Sequence, residues 1–90
     1  MVYLVKFKPS AERQLRKIPP DQLRRVAAKI DFLAGDPRPP GVEVLEAREL
    51  LLRVRTGDYG IVYQIQDSSL LMLVVKIGNR REVYRKLGRP

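Results

Sequence analysis

The sequence predicts an α+β domain in the order β-α-α-β-β-β, with a helix hairpin packed on a mainly antiparallel four-stranded sheet and a short C-terminal helix. Three observations carry this. Helical spacing of apolar residues is confined to the stretch between residues 11 and 33, strand-like stretches lie before and after it, and 90 residues suffice for one core and not two.

Tyr3 to Phe7 alternates Tyr3, Val5 and Phe7 against Leu4 and Lys6, the period of a strand. Pro9-Ser10 ends it, and Ser10 is suited to cap a helix running to about Ile18. Ala11, Leu15 and Ile18 share one face of that helix, with Arg13, Arg16 and Lys17 elsewhere on its surface. Pro19-Pro20 breaks it and opens a second helix, where Asp21 suits the positive end of the helix dipole. Leu23, Val26, Ala27, Ile30 and Leu33 form its apolar stripe, and Gly35 is the expected cap.

Asp36 to Gly41 carries three prolines and reads as a stiff connector. Val42 to Glu49 is ambiguous, with a short strand followed by a loop as one reading. Leu50 to Arg55 is a strand that turns at Thr56-Gly57-Asp58, and Gly60 to Gln66 is the next, turning at Asp67-Ser68-Ser69. Leu70 to Ile77 is apolar on both faces up to Lys76, as suits the most buried strand, and Gly78 ends it. Arg81 to Leu87 is long enough for one or two turns of terminal helix.

Composition narrows the function. The longest apolar run, Leu70 to Val75, falls far short of the ~20 residues that span a bilayer. The first residues show no export signal, and the absence of cysteine suits a reducing compartment, so a cytoplasmic location is expected and no membrane partner. Without cysteine or histidine there is no zinc site of the usual kind and no imidazole base, which leaves Arg, Lys, Tyr, Asp and Glu for any chemistry. The net charge of +8 divides into +5 over residues 1–33, −2 over 34–75 and +5 over 76–90. Positive ends on a small domain point to a polyanion, with nucleic acid the natural candidate.

In the Leu50–Arg55 strand, Leu52 and Val54 point one way and Leu51, Arg53 and Arg55 the other. If the first pair faces the helices, the two arginines stand on the open face. The segment from Asn79 to Lys86, with Arg80, Arg81, Tyr84 and Arg85, can fold back beside that face behind Lys76. Such a basic concavity with one aromatic ring would hold phosphates and stack a base, as single-stranded RNA is usually gripped.

The stretch Leu52-Arg53-Val54-Arg55-Thr56-Gly57-Asp58-Tyr59-Gly60-Ile61-Val62-Tyr63-Gln64-Ile65 resembles the strand–turn–strand signature of RelE-like toxins of type II toxin–antitoxin systems. The ending from Val75 to Tyr84 is similar to the family's, as are Val5 to Ala11 and Leu15 to Pro19 to its first strand and helix. The resemblance implies a ribosome-dependent mRNA endoribonuclease in which the ribose 2′-hydroxyl attacks the adjacent phosphate, without metal or cofactor. It implies a cognate antitoxin that silences the toxin, and contact with operator DNA only through that complex.

By position, the resemblance assigns Arg53 to the scissile phosphate region, Arg80 to charge on the phosphoryl oxygens and Tyr84 to stacking on the nucleotide. Arg55, Arg81, Lys76 and Arg85 would be further RNA contacts. Two positions depart from the family pattern: Leu51 stands where relatives often carry lysine, and Gly60 where an arginine follows the turn tyrosine. Both remove positive charge from the reaction centre. The same scaffold serves ParE-like toxins, which inhibit DNA gyrase by binding, and a catalytically weak RNA-binding member is the remaining alternative.

Overall fold

The computed structural model describes residues 2–46, 48 and 50–79. Along them run β1 (Leu4–Phe7), α1 (Pro9–Arg16), α2 (Pro20–Gly35), β2 (Glu43–Glu46), β3 (Leu51–Thr56), β4 (Tyr59–Gln66) and β5 (Leu71–Asn79), with a turn of 3-10 helix at Asp67–Ser69. The strands make one sheet in the order β1-β5-β4-β3-β2. Every neighbouring pair is antiparallel except β1 and β5, which are parallel.

Among the described residues the sheet therefore has five strands and not the four expected. The additional one is Glu43–Glu46, which pairs with β3 through Glu43 opposite Arg53 and Val44 opposite Leu52. All four of its residues are exposed, so no alternation of burial marks it in the sequence. The expected terminal helix over Arg81 to Leu87 lies outside the described residues.

The helices begin differently from the reading above. Lys8, not Ser10, is the cap of α1, and Pro9 occupies the first helical turn. Proline suits that place because its fixed φ is already helical and its missing N–H would have had no partner there. Pro19 caps α2 and Pro20 opens it in the same way, with the N–H of Leu23 donating to Pro19 O at 2.8 Å. Gly35 stays inside the last turn, and the cap is Asp36, whose N–H donates to Phe32 O at 3.0 Å. Ala27 is exposed rather than part of the buried stripe, and Ala34 takes the place further along.

α1 lies against β1 and β5, and α2 against β3. The core between helices and sheet comprises Ala11, Ile18, Val26, Ile30 and Leu33 from the helical side, and Leu52, Val54, Ile61, Tyr63, Ile65, Met72, Val74 and Ile77 from the strands. Among the described residues no charged side chain is buried in it. Tyr63 is the core's polar member: its hydroxyl donates to Pro37 O at 2.7 Å, and burial pushes its pKa up to about 12. The connector is pinned a second time where Arg38 Nη2 meets Asp67 Oδ2 at 2.8 Å, and the Tyr3 hydroxyl donates to Asp67 Oδ1 at 2.5 Å. Prolines stiffen the connector, and these contacts fasten its first half, at Pro37 and Arg38.

Candidate nucleic-acid interface

The parity of β3 decides where its arginines stand. Leu52 and Val54 are buried beneath the helices, so Leu51, Arg53 and Arg55 fall on the face the helices leave open. Arg53 lies opposite Val62 and Arg55 opposite Gly60 across the β3–β4 hairpin. That hairpin closes over Gly57-Asp58, where Gly57 sits at φ 60, a conformation that a two-residue hairpin turn asks of its first residue and that glycine adopts without a Cβ clash.

Lys76 reaches the same face by a device that the sequence pattern conceals. Met72 and Val74 point into the core, and strict alternation would send residue 76 after them. Between β4 and β5 the register shifts: Tyr63 pairs with Val74 but Val62 with Lys76, leaving Val75 as a bulge residue. The bulge turns Ile77 into the core and Lys76 outward. Glu43, Arg53, Val62 and Lys76 thus form a row across β2, β3, β4 and β5, and Arg53 and Lys76 flank Val62 at two strand spacings, roughly 10 Å.

The next row toward the β3–β4 turn holds Arg55, Gly60 and Gly78. Neither Gly60 nor Gly78 brings a side chain to this row. A Cβ on Gly60 would come 3.7 Å from Arg53 Cδ, ordinary contact, so that position opens toward Arg53. On the other side the surface turns apolar, with Leu51, Gln64 and Leu73 in register and only partly buried.

Arg53 is not free. Its Nε and Nη2 both donate to Glu43 Oε1, at 3.0 and 2.7 Å. Beside this pair, at the edge of β3 beyond the end of β2, is a cavity of about 500 Å³ that Lys29, Glu43, Arg53 and Arg55 help to line. Among the described residues of its lining, three cations stand against one carboxylate, which makes it an anion-attracting space. Among the described residues no cluster of His, Cys, Asp or Glu is composed to hold a metal ion.

The structure thus brings Arg53, Arg55 and Lys76 together. Arg80, Arg81, Tyr84 and Arg85 lie outside the described residues, immediately after Asn79 at the end of β5. Sequence reasoning missed Glu43 as the partner of Arg53, because its strand has no periodic signal. It also placed Gly78 at the end of its strand, whereas β5 runs on to Asn79 and Gly78 pairs with Gly60.

The model of the family described as ParE toxin of type II toxin–antitoxin system, parDE, matches residues 5–84. The chain is 33% identical to Toxin RelG of Mycobacterium tuberculosis over 90 residues, spanning 96% of this chain and 100% of that protein. Among solved structures it is similar to the archaeal RelE–RelB complex from Pyrococcus horikoshii OT3, with a TM-score of 0.79 at 28% identity, covering 89% of this chain and 97% of that one. The RelBE2 toxin–antitoxin complex of Mycobacterium tuberculosis superposes with a TM-score of 0.73 at 26% identity, covering 89% of this chain and 100% of that one.

Proposed function

This chain belongs to the RelE/ParE superfamily, the toxins of type II toxin–antitoxin systems, and we propose that within it the protein is a ribosome-dependent mRNA endoribonuclease. The observation that carries this reading is the pairing of Arg53 and Lys76 across Val62, with Arg55 beside them, on the sheet face that the helices leave open. Among relatives, the match to Toxin RelG along that protein's whole length supports it.

The proposed reaction is transesterification. The ribose 2′-hydroxyl of the message attacks the neighbouring phosphorus, the bond from phosphorus to the 5′-oxygen breaks, and a 2′,3′-cyclic phosphate and a 5′-hydroxyl result. Arg53 offers two N–H donors in a planar fork to the non-bridging oxygens, where negative charge builds in the transition state. Lys76 and Arg55 hold flanking phosphates. Arg80 adds charge at the phosphoryl oxygens, Tyr84 stacks on a base, and Arg81 and Arg85 extend the contact; these four roles rest on the family resemblance.

With no imidazole, proton transfer falls to groups that ordinarily titrate far from neutrality, so positioning must supply most of the rate. The ribosome provides that alignment. A cognate antitoxin with an acidic segment would cover the cations until cleavage is needed, and the pair would act in the cytoplasm and meet operator DNA only as a complex.

Primer extension on a translated message tests this. The purified chain should cut mRNA on programmed ribosomes and leave naked RNA nearly intact. Arg53→Gln should lower the single-turnover rate by two to three decades, the loss of one transition-state donor at about 2.7–4 kcal/mol. The family model that matches is the ParE toxin model, which favours gyrase inhibition by binding as the second reading. An untouched message together with blocked gyrase supercoiling would establish that reading instead.

A further inference from the structure

The guanidinium that the proposed chemistry needs most is already occupied. Of the three ion-paired cations among the described residues, Arg53 is the least exposed, at 21% against 45% for Arg38 and 73% for Arg16. Two of its donors converge on a single oxygen of Glu43, and the two residues are directly opposite in the β2–β3 ladder. A carboxylate oxygen taking two donors of an arginine fork sits where an oxygen of a phosphate would sit, since both anions match the same planar geometry.

We infer that Glu43 is an internal stand-in for an RNA phosphate, and that RNA reaches Arg53 by displacing its carboxylate. The inference rests on the reading that the open face takes RNA, and it adds a seat for a backbone phosphate outside the row on that face. Glu43 is about half exposed, at 49%, so it can swing into water without breaking the core. The β2 ladder ends at the Glu43–Arg53 pair, so Val54 to Thr56 have no β2 partner and the edge of β3 lies open there. The cavity at this edge, about 500 Å³, brings Lys29 and Arg55 to the same space. Once Glu43 has left, three cations face the incoming group with no counter-charge among the described residues that line the cavity. An extended polyanion fits better than an acidic peptide, because Arg53 belongs at once to this cavity and to the row with Lys76, giving a backbone track that rounds the edge of the sheet.

Exchange makes Glu43 a determinant of affinity. An exposed pair of this kind is worth up to about 1 kcal/mol, so its removal should tighten phosphate binding up to about fivefold. The probe is a fluorescent eight-nucleotide RNA with 2′-O-methyl riboses, which the full chain binds and does not cut. Glu43→Gln should bind it about three- to fivefold tighter than the parent, and Lys29→Gln more weakly. In an Arg53→Gln background, Glu43→Gln should change affinity less than 1.5-fold. Glu43→Thr, a residue suited to a strand edge, should give the same gain. A melting curve accompanies each variant.

Unchanged or weaker binding by both Glu43 variants would overturn the inference and make Glu43 a residue that orients Arg53. An equal gain in both backgrounds would reduce it to long-range charge and overturn it too. Tightening toward a polyglutamate peptide but not toward the RNA would assign the cavity to an acidic protein segment. Cleavage on ribosomes is a separate measurement: a chain that shows the predicted coupling but never cuts message retains this inference and loses the proposed activity.

Discussion

On the helix side of the sheet, Ile61, Tyr63, Met72, Val74 and Ile77 are sealed from water, while their neighbours along the same strands, Val62, Gln64, Leu73 and Lys76, remain partly or fully exposed. The two faces share a backbone and differ in what holds each side chain in place. On the covered face, packing fixes identity, because a missing methyl group leaves a void that nothing refills. On the open face, side chains are held by cross-strand neighbours and charge, as Arg53 is by Glu43, and they remain available to a ligand. The bulge at Val75 keeps the two sets apart, since it places Ile77 inward while Lys76 turns out.

Adjacent residues on β4 give the sharpest contrast. Ile61 is fully buried under the helices and Val62 faces the open side. Ile61→Ala should destabilise the fold by about 2–5 kcal/mol in urea denaturation, the range for large-to-small changes in a packed core. Val62→Ala should cost less than about 1 kcal/mol, because its methyl groups are already in partial contact with water. Equal losses would mean that the open face is as tightly covered as the other and is no binding surface.

Much of this was legible because the covered face writes itself into the sequence. Leu52 and Val54 against Arg53 and Arg55 reveal the parity of β3, and Ala11, Leu15 and Ile18 show which side of α1 meets the sheet. β2 was legible only as one reading of an ambiguous stretch, since Glu43 to Glu46 is exposed throughout and owes its strand to the partner it pairs with. Without that strand the register of Glu43 against Arg53 cannot be read, and the ion pair stays hidden. The position of Lys76 looked like the end of an apolar run, and only the bulge explains why it points outward. Ser10 failed as a cap because Pro9 competes for the first helical position and fits it better.

Gly60 tests whether missing charge on the open face limits the chemistry. It lies opposite Arg55, its φ is outside the left-handed region, and a Cβ there has ordinary contact with Arg53 Cδ at 3.7 Å. Nothing in the backbone therefore demands glycine. Gly60→Arg should leave stability nearly unchanged and raise ribosome-dependent cleavage about tenfold, a gain of about 1.4 kcal/mol in transition-state stabilisation. A stable variant with no gain would show that arginine at this position is not limiting, and would favour the binding-only readings. A marked loss of stability would mean that the new guanidinium disturbs the Arg53–Glu43 pair.

The smallest effect should come from the polar cluster at the far end of the sheet from the Glu43–Arg53 pair, where Tyr3, Arg38 and Asp67 meet. Arg38 first, and then the Tyr3 hydroxyl, hold the Asp67 carboxyl below the usual carboxylate range. The hydrogen bond to Asp67 in turn raises the pKa of Tyr3. A carboxyl whose folded pKa is depressed contributes stability that is complete above its unfolded value, near ~3.9, and is lost as pH falls through the folded one. A phenol whose folded pKa is raised does the reverse: its contribution is complete below its unfolded value, near ~10, and is lost as pH rises through the folded one. The cluster should therefore stabilise the fold on a plateau from about pH 5 to 9 and weaken at both ends. The difference in melting temperature between the parent and Asp67→Asn should be constant across that plateau and shrink toward acid and toward alkali. Exposure of these side chains keeps the difference small, and added salt should reduce it further. A difference that grows on acidification would mean that Asp67 is protonated in the fold and that the cluster is held by neutral hydrogen bonds, leaving the connector fastened chiefly by Tyr63 and Pro37.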